Sequence, residues 1–188
     1  MTLLVTLDTN VLDAAEVAGL QLGLEIPCQF AAVTVSMRER GEANNLSIAS
    51  VPETLVWGES RWGEAVWGGP IPELLVLDES PLGSGVVAGD QEVDVLEAAL
   101  RIISNGSFSP PGRREDLSPG ARRQLRDAMV FEAHVRQRRH VLVTVDTRGF
   151  VNGGRREALE RLGRTRILTP AEFREHGVSG RLGELLSS

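Results

Sequence analysis

Short apolar runs alternate with amphipathic stretches along most of this chain. Leu3 to Leu7 is apolar without clean alternation, as expected of a strand buried on both faces. Asp8-Thr9-Asn10 follows it directly. Val11, Leu12, Ala15, Val17, Ala18 and Leu20 then predict a helix, with Thr9 or Asn10 as its N-cap. Phe30 to Val35 reads as a second strand. Ser36 and Glu39 stand in capping-box spacing and open a further helix. The pattern then breaks. Between residues 41 and 90 the chain holds Trp57-Gly58-Glu59, Trp62-Gly63-Glu64 and Trp67-Gly68-Gly69, a period of five that matches neither a helix face nor a strand face. With Pro52, Pro70 and Pro72 around it, this stretch reads as an irregular insertion, within which Leu74 to Leu77 is a candidate strand. The tryptophans suit either anchoring of that loop or stacking on bases.

Regular patterning returns at Gln91. Val95, Leu96, Ala99, Leu100 and Ile103 share one helical face. Residues 104–119 are rich in Gly, Pro and Ser and read as a loop. A helix is expected over Ala121 to Arg138, then a strand from Val141 to Val145 ending at Asp146. Glu157 to Leu162 predicts a helix with Gly163 as its C-cap, Arg166 to Leu168 a short strand, and Pro170 the first residue of a last helical turn. The tail from Gly177 reads as loose. Helices alternating with short buried strands indicate an α/β fold, a mostly parallel central sheet flanked by helices. One domain over residues 1–175 is expected, divergent or inserted over about 41–119, with residues 176–188 as a C-terminal tail. In such sheets ligands bind at the carboxyl ends of the strands, where Asp8 and Asp146 are predicted.

Composition narrows the chemistry. All 20 basic residues are arginine, so mechanisms that need a lysine are excluded: Schiff-base and pyridoxal enzymes and the GK[ST] phosphate loop. The one cysteine, Cys28, allows no internal disulfide and no cysteine-based metal site and suits a small core residue. The apolar start ends at an acid and lacks a basic leader, and no apolar run is long enough to span a bilayer, so a cytoplasmic protein with no membrane partner is expected. The net charge of −6 is split: residues 1–100 hold 3 Arg against 16 acids, and residues 101–188 hold 17 Arg against 10. That asymmetry fits a surface for a polyanion, and equally a set of solvated helix faces that pair with acids of the first half.

Leu7-Asp8-Thr9-Asn10-Val11-Leu12 resembles the first motif of PIN-domain nucleases, a strand followed by Asp-Thr-Asn. Leu142-Val143-Thr144-Val145-Asp146 resembles their last motif, a strand ending in Thr-x-Asp. Arg126-Asp127-Ala128 resembles their third acid, carried at the start of the helix before that strand. Ile167 to Phe173 is similar to the closing strand and its turn. The resemblance covers the two ends of the chain and leaves the middle unmatched. It implies a PIN-like domain and a second acid in the helix after the second strand. Glu39 is the best match for that acid and Glu42, one turn on, the competitor.

The implied activity is that of a divalent-metal-dependent nuclease, in which Asp8, Glu39, Asp127 and Asp146 hold Mg²⁺ or Mn²⁺ and a water for attack on a phosphodiester bond. Hard cations take oxygen ligands, and packed carboxylates repel one another until a cation relieves them. Asn10 and Thr144 would steady the carboxylates or a water. Arg136, Arg138, Arg139, Arg155 and Arg156 are the candidates for contacts with the backbone of RNA or another single-stranded nucleic acid. A homodimer and a small inhibitory protein partner are further partners that the family implies. Other readings stand beside this one. Asp8 alone could be a helix cap, Asp127 a helix-face charge, Asp146 a turn residue before Gly149 and Glu39 a capping-box member. His134, two turns after Asp127, suits a structural histidine better than a site residue; His140 and His176 carry no signal. A haloacid-dehalogenase-like phosphatase would want an acid where Asn10 stands, and a lysine. A PIN-like module that binds RNA or a partner without cutting, or the toxin half of a toxin–antitoxin pair, remains the alternative to the enzyme.

Overall fold

The computed structural model describes residues 1–33, 53–55, 90–110 and 117–187. The expectations placed on Ser36, Glu39, Glu42, the three tryptophans and residues 74–77 lie outside these residues. Five strands, β1 (Leu3–Leu7), β2 (Cys28–Val33), β3 (Glu53–Leu55), β4 (Val141–Val143) and β5 (Arg166–Leu168), form one sheet in the order β3-β2-β1-β4-β5. Every neighbouring pair is parallel. The helices are α1 (Ala14–Gln21), α2 (Asp90–Ile103), α3 (Pro119–Arg136), α4 (Arg155–Gly163) and α5 (Pro170–Val178). The α/β class and the parallel sheet agree with the sequence pattern.

Side chains alternate across the sheet with period two, and this sorts the core into two layers. Leu3, Val5 and Leu7 of β1 pack with α1, α5 and the end of the chain. Ala31, Val33, Leu142 and Ile167 face α2, α3 and α4 on the other side. On β1 the α3 side receives Thr6, which is fully buried and touches His134 of α3. By the same alternation it receives Asp8 and Thr144, the residues just past β1 and β4.

Several boundaries differ from the sequence pattern for identifiable reasons. After β1 the chain makes a 3₁₀ turn over Thr9–Val11, and α1 starts only at Ala14, capped by the Asp13 side chain rather than by Thr9 or Asn10. Within the stretch read as an irregular insertion, Glu53–Leu55 pairs with β2; three residues are too few for an alternating pattern to show. Gly163 is the last residue of α4, and Arg164 is the residue in left-handed conformation, at φ 48°. Gly163 serves close helix packing instead. A Cβ there would lie 2.7 Å from Val135 Cγ2 and 2.9 Å from Phe131 Cζ, so α4 can rest on α3 only at a glycine. The end of the chain is not loose: Leu182 and Leu185, in a 3₁₀ segment, are buried against the sheet.

The amino-terminal edge of the sheet is closed by polar groups with full partners. His134, completely buried, bonds Thr6 Oγ1 through Nδ1 (2.8 Å) and Thr165 Oγ1 through Nε2 (2.6 Å). Thr165 donates its proton to the His140 carbonyl, so it accepts from His134. Nε2 therefore carries the imidazole proton, and Nδ1 accepts from Thr6. His140 supplies Nδ1 to the Leu4 amide, which lies just before the paired stretch of β4. His134 is thus a structural histidine that ties α3, β1 and the α4–β5 turn together.

Burial lowers the His134 pKa from 6.5 to about 3, with the charges of Arg139 and His140 adding to the effect. Between those values the unfolded chain binds more protons than the folded one, so stability falls as pH falls, by up to about 1.4 kcal/mol per pH unit for one site. His140 shifts in the same direction, through burial and then Arg139. The urea midpoint is expected to be level above pH 7 and to drop between pH 6.5 and 5, ahead of the carboxylates. His134→Gln should flatten that slope while lowering stability at pH 7. A slope unchanged in the variant would remove His134 from this role.

Candidate active site

The strand order changes direction between β1 and β4. From β1 the chain moves to β2 through α1 on one face, and from β4 it moves to β5 through α4 on the other. Helices that leave on opposite faces open a crevice at the carboxyl ends of the two strands between them, the usual place for a ligand in such sheets. Asp8 and the segment Thr144–Asp146 stand at this point.

Asp8 is only 2% exposed. Its amide continues the ladder to the Val143 carbonyl at 2.9 Å, and its carbonyl accepts from Val11 in the 3₁₀ turn. Thr144 Oγ1 donates to Asp8 Oδ2 at 2.7 Å and accepts from the Asp146 amide at 2.9 Å. One hydroxyl therefore fixes the Asp8 carboxylate against the backbone that carries Asp146. This is the steadying role expected of Thr144.

Asp146 opens a single π-helical turn over Thr147–Val151, closed by Asn152 N donating to the Thr147 carbonyl at 2.7 Å. Its Oδ1 accepts from the amides of Arg148 (2.9 Å) and Gly149 (3.0 Å). Phe150, fully buried among residues of α3 and α4, anchors the turn in the core. Such turns commonly mark functional sites. At Gly149 the geometry becomes informative: a Cβ there would lie 2.8 Å from Asp146 Oδ2 and 3.0 Å from Asp127 Oδ2. The two carboxylates face one point, and the missing side chain is what leaves room for them. Asp127 reaches this point from the middle of α3, two turns inside a helix that begins at Pro119, rather than from the helix start. The Asp146-to-Gly149 spacing is visible in the sequence as an ordinary turn signal; its steric meaning is not.

The other predicted residues fall elsewhere. Asn10 is exposed, and its side chain makes no hydrogen bond among the described residues. Arg136, Arg138 and Arg139 precede β4 and so occupy the amino-terminal edge, opposite the aspartates. Arg136 pairs with Glu132, and Arg139, buried, donates to the Val5 and Gln29 carbonyls. Arg155 and Arg156 lie on the aspartate edge and have structural partners. Arg155 holds the Arg148 carbonyl, and Arg156 pairs with Glu172 at 2.8 Å. Burial raises the Glu172 pKa, but the hydrogen bonds from Arg156 and Thr169 outweigh it and hold the carboxyl below its usual range. Cys28 is half-buried, and burial pushes its thiol up to about 11, far from a reactive thiolate.

Among the described residues, no group of three or more His, Cys, Asp or Glu side chains stands close enough together to hold a metal ion. What they supply is the Asp127–Asp146 pair, with Asp8 joined to it through Thr144. No protein-family model matches the chain, and neither curated proteins nor solved structures yield a match.

Thr144→Val keeps the shape but leaves Asp8 Oδ2 and the Asp146 amide without this partner, which should cost about 1–3 kcal/mol. Asp8→Asn retains an acceptor for the Thr144 hydroxyl, so it should lose less stability than Thr144→Val. Urea titrations of the two variants check this, and the reverse order would contradict the bridging role.

Proposed function

We propose that this chain is a PIN-like, divalent-metal-dependent nuclease that hydrolyses phosphodiester bonds in RNA or another single-stranded nucleic acid. The observation that carries this reading is the pair of Oδ2 atoms of Asp127 and Asp146, both within 3.0 Å of one point above Gly149 at the winding reversal of the sheet. Asp8 lies on the same side, held by Thr144. The motif order Asp8, Asp127, Thr144-x-Asp146 accords with it. Glu39 completes the acidic set in this reading.

The donors suit the cation. All are carboxylate oxygens, and Mg²⁺ commonly takes one or two carboxylates together with waters and substrate phosphates. When bound, such an ion offsets the negative charge of the phosphoryl oxygens and makes a water nucleophilic near neutral pH. The protein's contribution is to hold the oxygens in place. Asp146 commits Oδ1 to two backbone amides, which sets the direction of Oδ2. Thr144 does the same for Asp8, and its own hydroxyl is fixed by the Asp146 amide. Asp127 is carried on a long helix packed along its whole buried face. Asp146 can therefore present Oδ2 to a cation without giving up the hydrogen bonds that hold its Oδ1.

Purified protein is to be incubated with end-labelled single-stranded RNA and Mn²⁺ or Mg²⁺, beside an EDTA control. Cleavage is expected with metal, and Asp146→Asn or Asp8→Asn should reduce it by at least about 100-fold, the upper end of the loss from removing a mere supporting residue of a metal site. Cleavage that survives both substitutions would sink the assignment. RNA bound with no cleavage under either metal would favour a binding module over an enzyme.

A further inference from the structure

The arginines that the sequence nominated for substrate are either engaged or on the wrong edge, which leaves the question of what meets the substrate's phosphates. Two other arginines stand beside the aspartates. Arg148 is two residues past Asp146, in the π-helical turn. Its amide is taken by Asp146 Oδ1 and its carbonyl by the Arg155 guanidinium, so its backbone is held at both polar groups. Its side chain is exposed. Arg123 lies four residues before Asp127 on α3, on nearly the same face and about 6 Å farther along the helix axis. Because α3 runs down toward the start of β4, this first part of the helix lies farther out on the aspartate side. Arg123 is exposed too. Among the described residues neither guanidinium has a hydrogen-bond or ion-pair partner, although acids lie close to both in sequence.

We propose that Arg123 and Arg148, one beside each of the two facing aspartates, are the residues that bind the phosphates of a nucleic-acid strand lying across the carboxyl edge of the sheet. This rests on the nuclease reading above. The physical argument is one of charge and order. A metal ion at the aspartates would meet one phosphate, so the phosphates on either side of it need positive charge of their own. A guanidinium on a fixed backbone loses less freedom when it closes on a phosphate than one on a mobile loop. Both sites have such a backbone, one a long helix and the other a turn pinned at each end. Among the described residues neither side chain has a structural partner, so both can be removed with little expected loss of stability.

The test uses the full chain and a fluorescein-labelled single-stranded RNA. Binding is followed by anisotropy over a salt series in Mg²⁺, in an Asp146→Asn background to prevent cleavage, and KM and kcat are measured in the wild-type background with Mn²⁺. Arg123→Ala and Arg148→Ala are compared with Arg161→Ala and Arg164→Ala, exposed arginines near the amino-terminal edge that make the same change in net charge. Each of the first pair should lower the slope of log K against log salt by about 0.7, the value for one single-strand phosphate contact, and raise KM with kcat nearly kept. The second pair should change neither. Equal losses in all four variants would show a general charge effect and overturn the proposal. So would cleavage by the wild type with an unchanged KM in the Arg123→Ala/Arg148→Ala double variant, with the nuclease reading left intact. RNA binding that depends on the two arginines, without cleavage by the wild type, would keep the proposal and overturn catalysis. No binding and no cleavage would overturn both.

Discussion

The pairing of β1 with β4 is the constraint from which the rest of this molecule follows. The two strands are distant in sequence, and the crossovers that leave them run on opposite faces of the sheet. Neither of these crossover helices then covers the gap at their carboxyl ends. Any polar residue placed just past either strand is forced into that gap, beside whatever the other strand delivers. Asp8 and Asp146 are delivered to the same edge in this way, just past neighbouring strands. The Thr144 hydroxyl links the two: it gives its proton to the Asp8 carboxylate and accepts from the Asp146 amide.

The two edges of the sheet show opposite solutions to the same problem of buried polar groups. At the amino-terminal edge, Thr6, His134, Thr165 and His140 form a chain in which donors and acceptors match, and the imidazole is held neutral by burial. That edge is built to be inert. At the carboxyl edge, hydrogen bonds fix one oxygen of Asp146 and leave the second facing Asp127 across a glycine. A fold that only needed a turn there could use a residue with a side chain at 149. The glycine costs chain entropy, and what it returns is room for the Asp127 and Asp146 carboxylates to approach one point.

Most of the fold was legible in the sequence because its strands are short, doubly buried apolar runs, and its long helices have clear apolar stripes. The misreadings have particular causes. Glu53–Leu55 is too short to show a period. Asp13 rather than Thr9 or Asn10 caps α1 because those two residues belong to a 3₁₀ turn that a linear pattern does not reveal. Gly163 was assigned to a left-handed position that Arg164 takes, since the sequence shows a glycine but not the phenyl ring lying against it. Of the candidate site, the identities of Asp8, Asp127, Thr144 and Asp146 could be read from motif and spacing. That Asp127 stands in mid-helix, and that Gly149 makes room for its carboxylate, needed coordinates.

The arginine-rich second half gives the sharpest case of a sequence signal with two meanings. Seventeen arginines after residue 100 look like one polyanion surface, but among the described residues Arg136, Arg138, Arg139 and Arg161 fall at one edge and Arg148, Arg155 and Arg156 at the other. Arg136 and Arg161 lie in the last turns of α3 and α4, where the helix dipole favours a cation, and Arg139 satisfies strand carbonyls. Arg155 and Arg156 hold the turn and the cap that shape the opposite edge. Much of the positive charge is therefore spent on helix ends and backbone oxygens of the protein itself. A basic balance in sequence measures the supply of cations; which of them remain for a substrate is decided by the direction of the strands, since only arginines carried past the carboxyl ends share an edge with the aspartates.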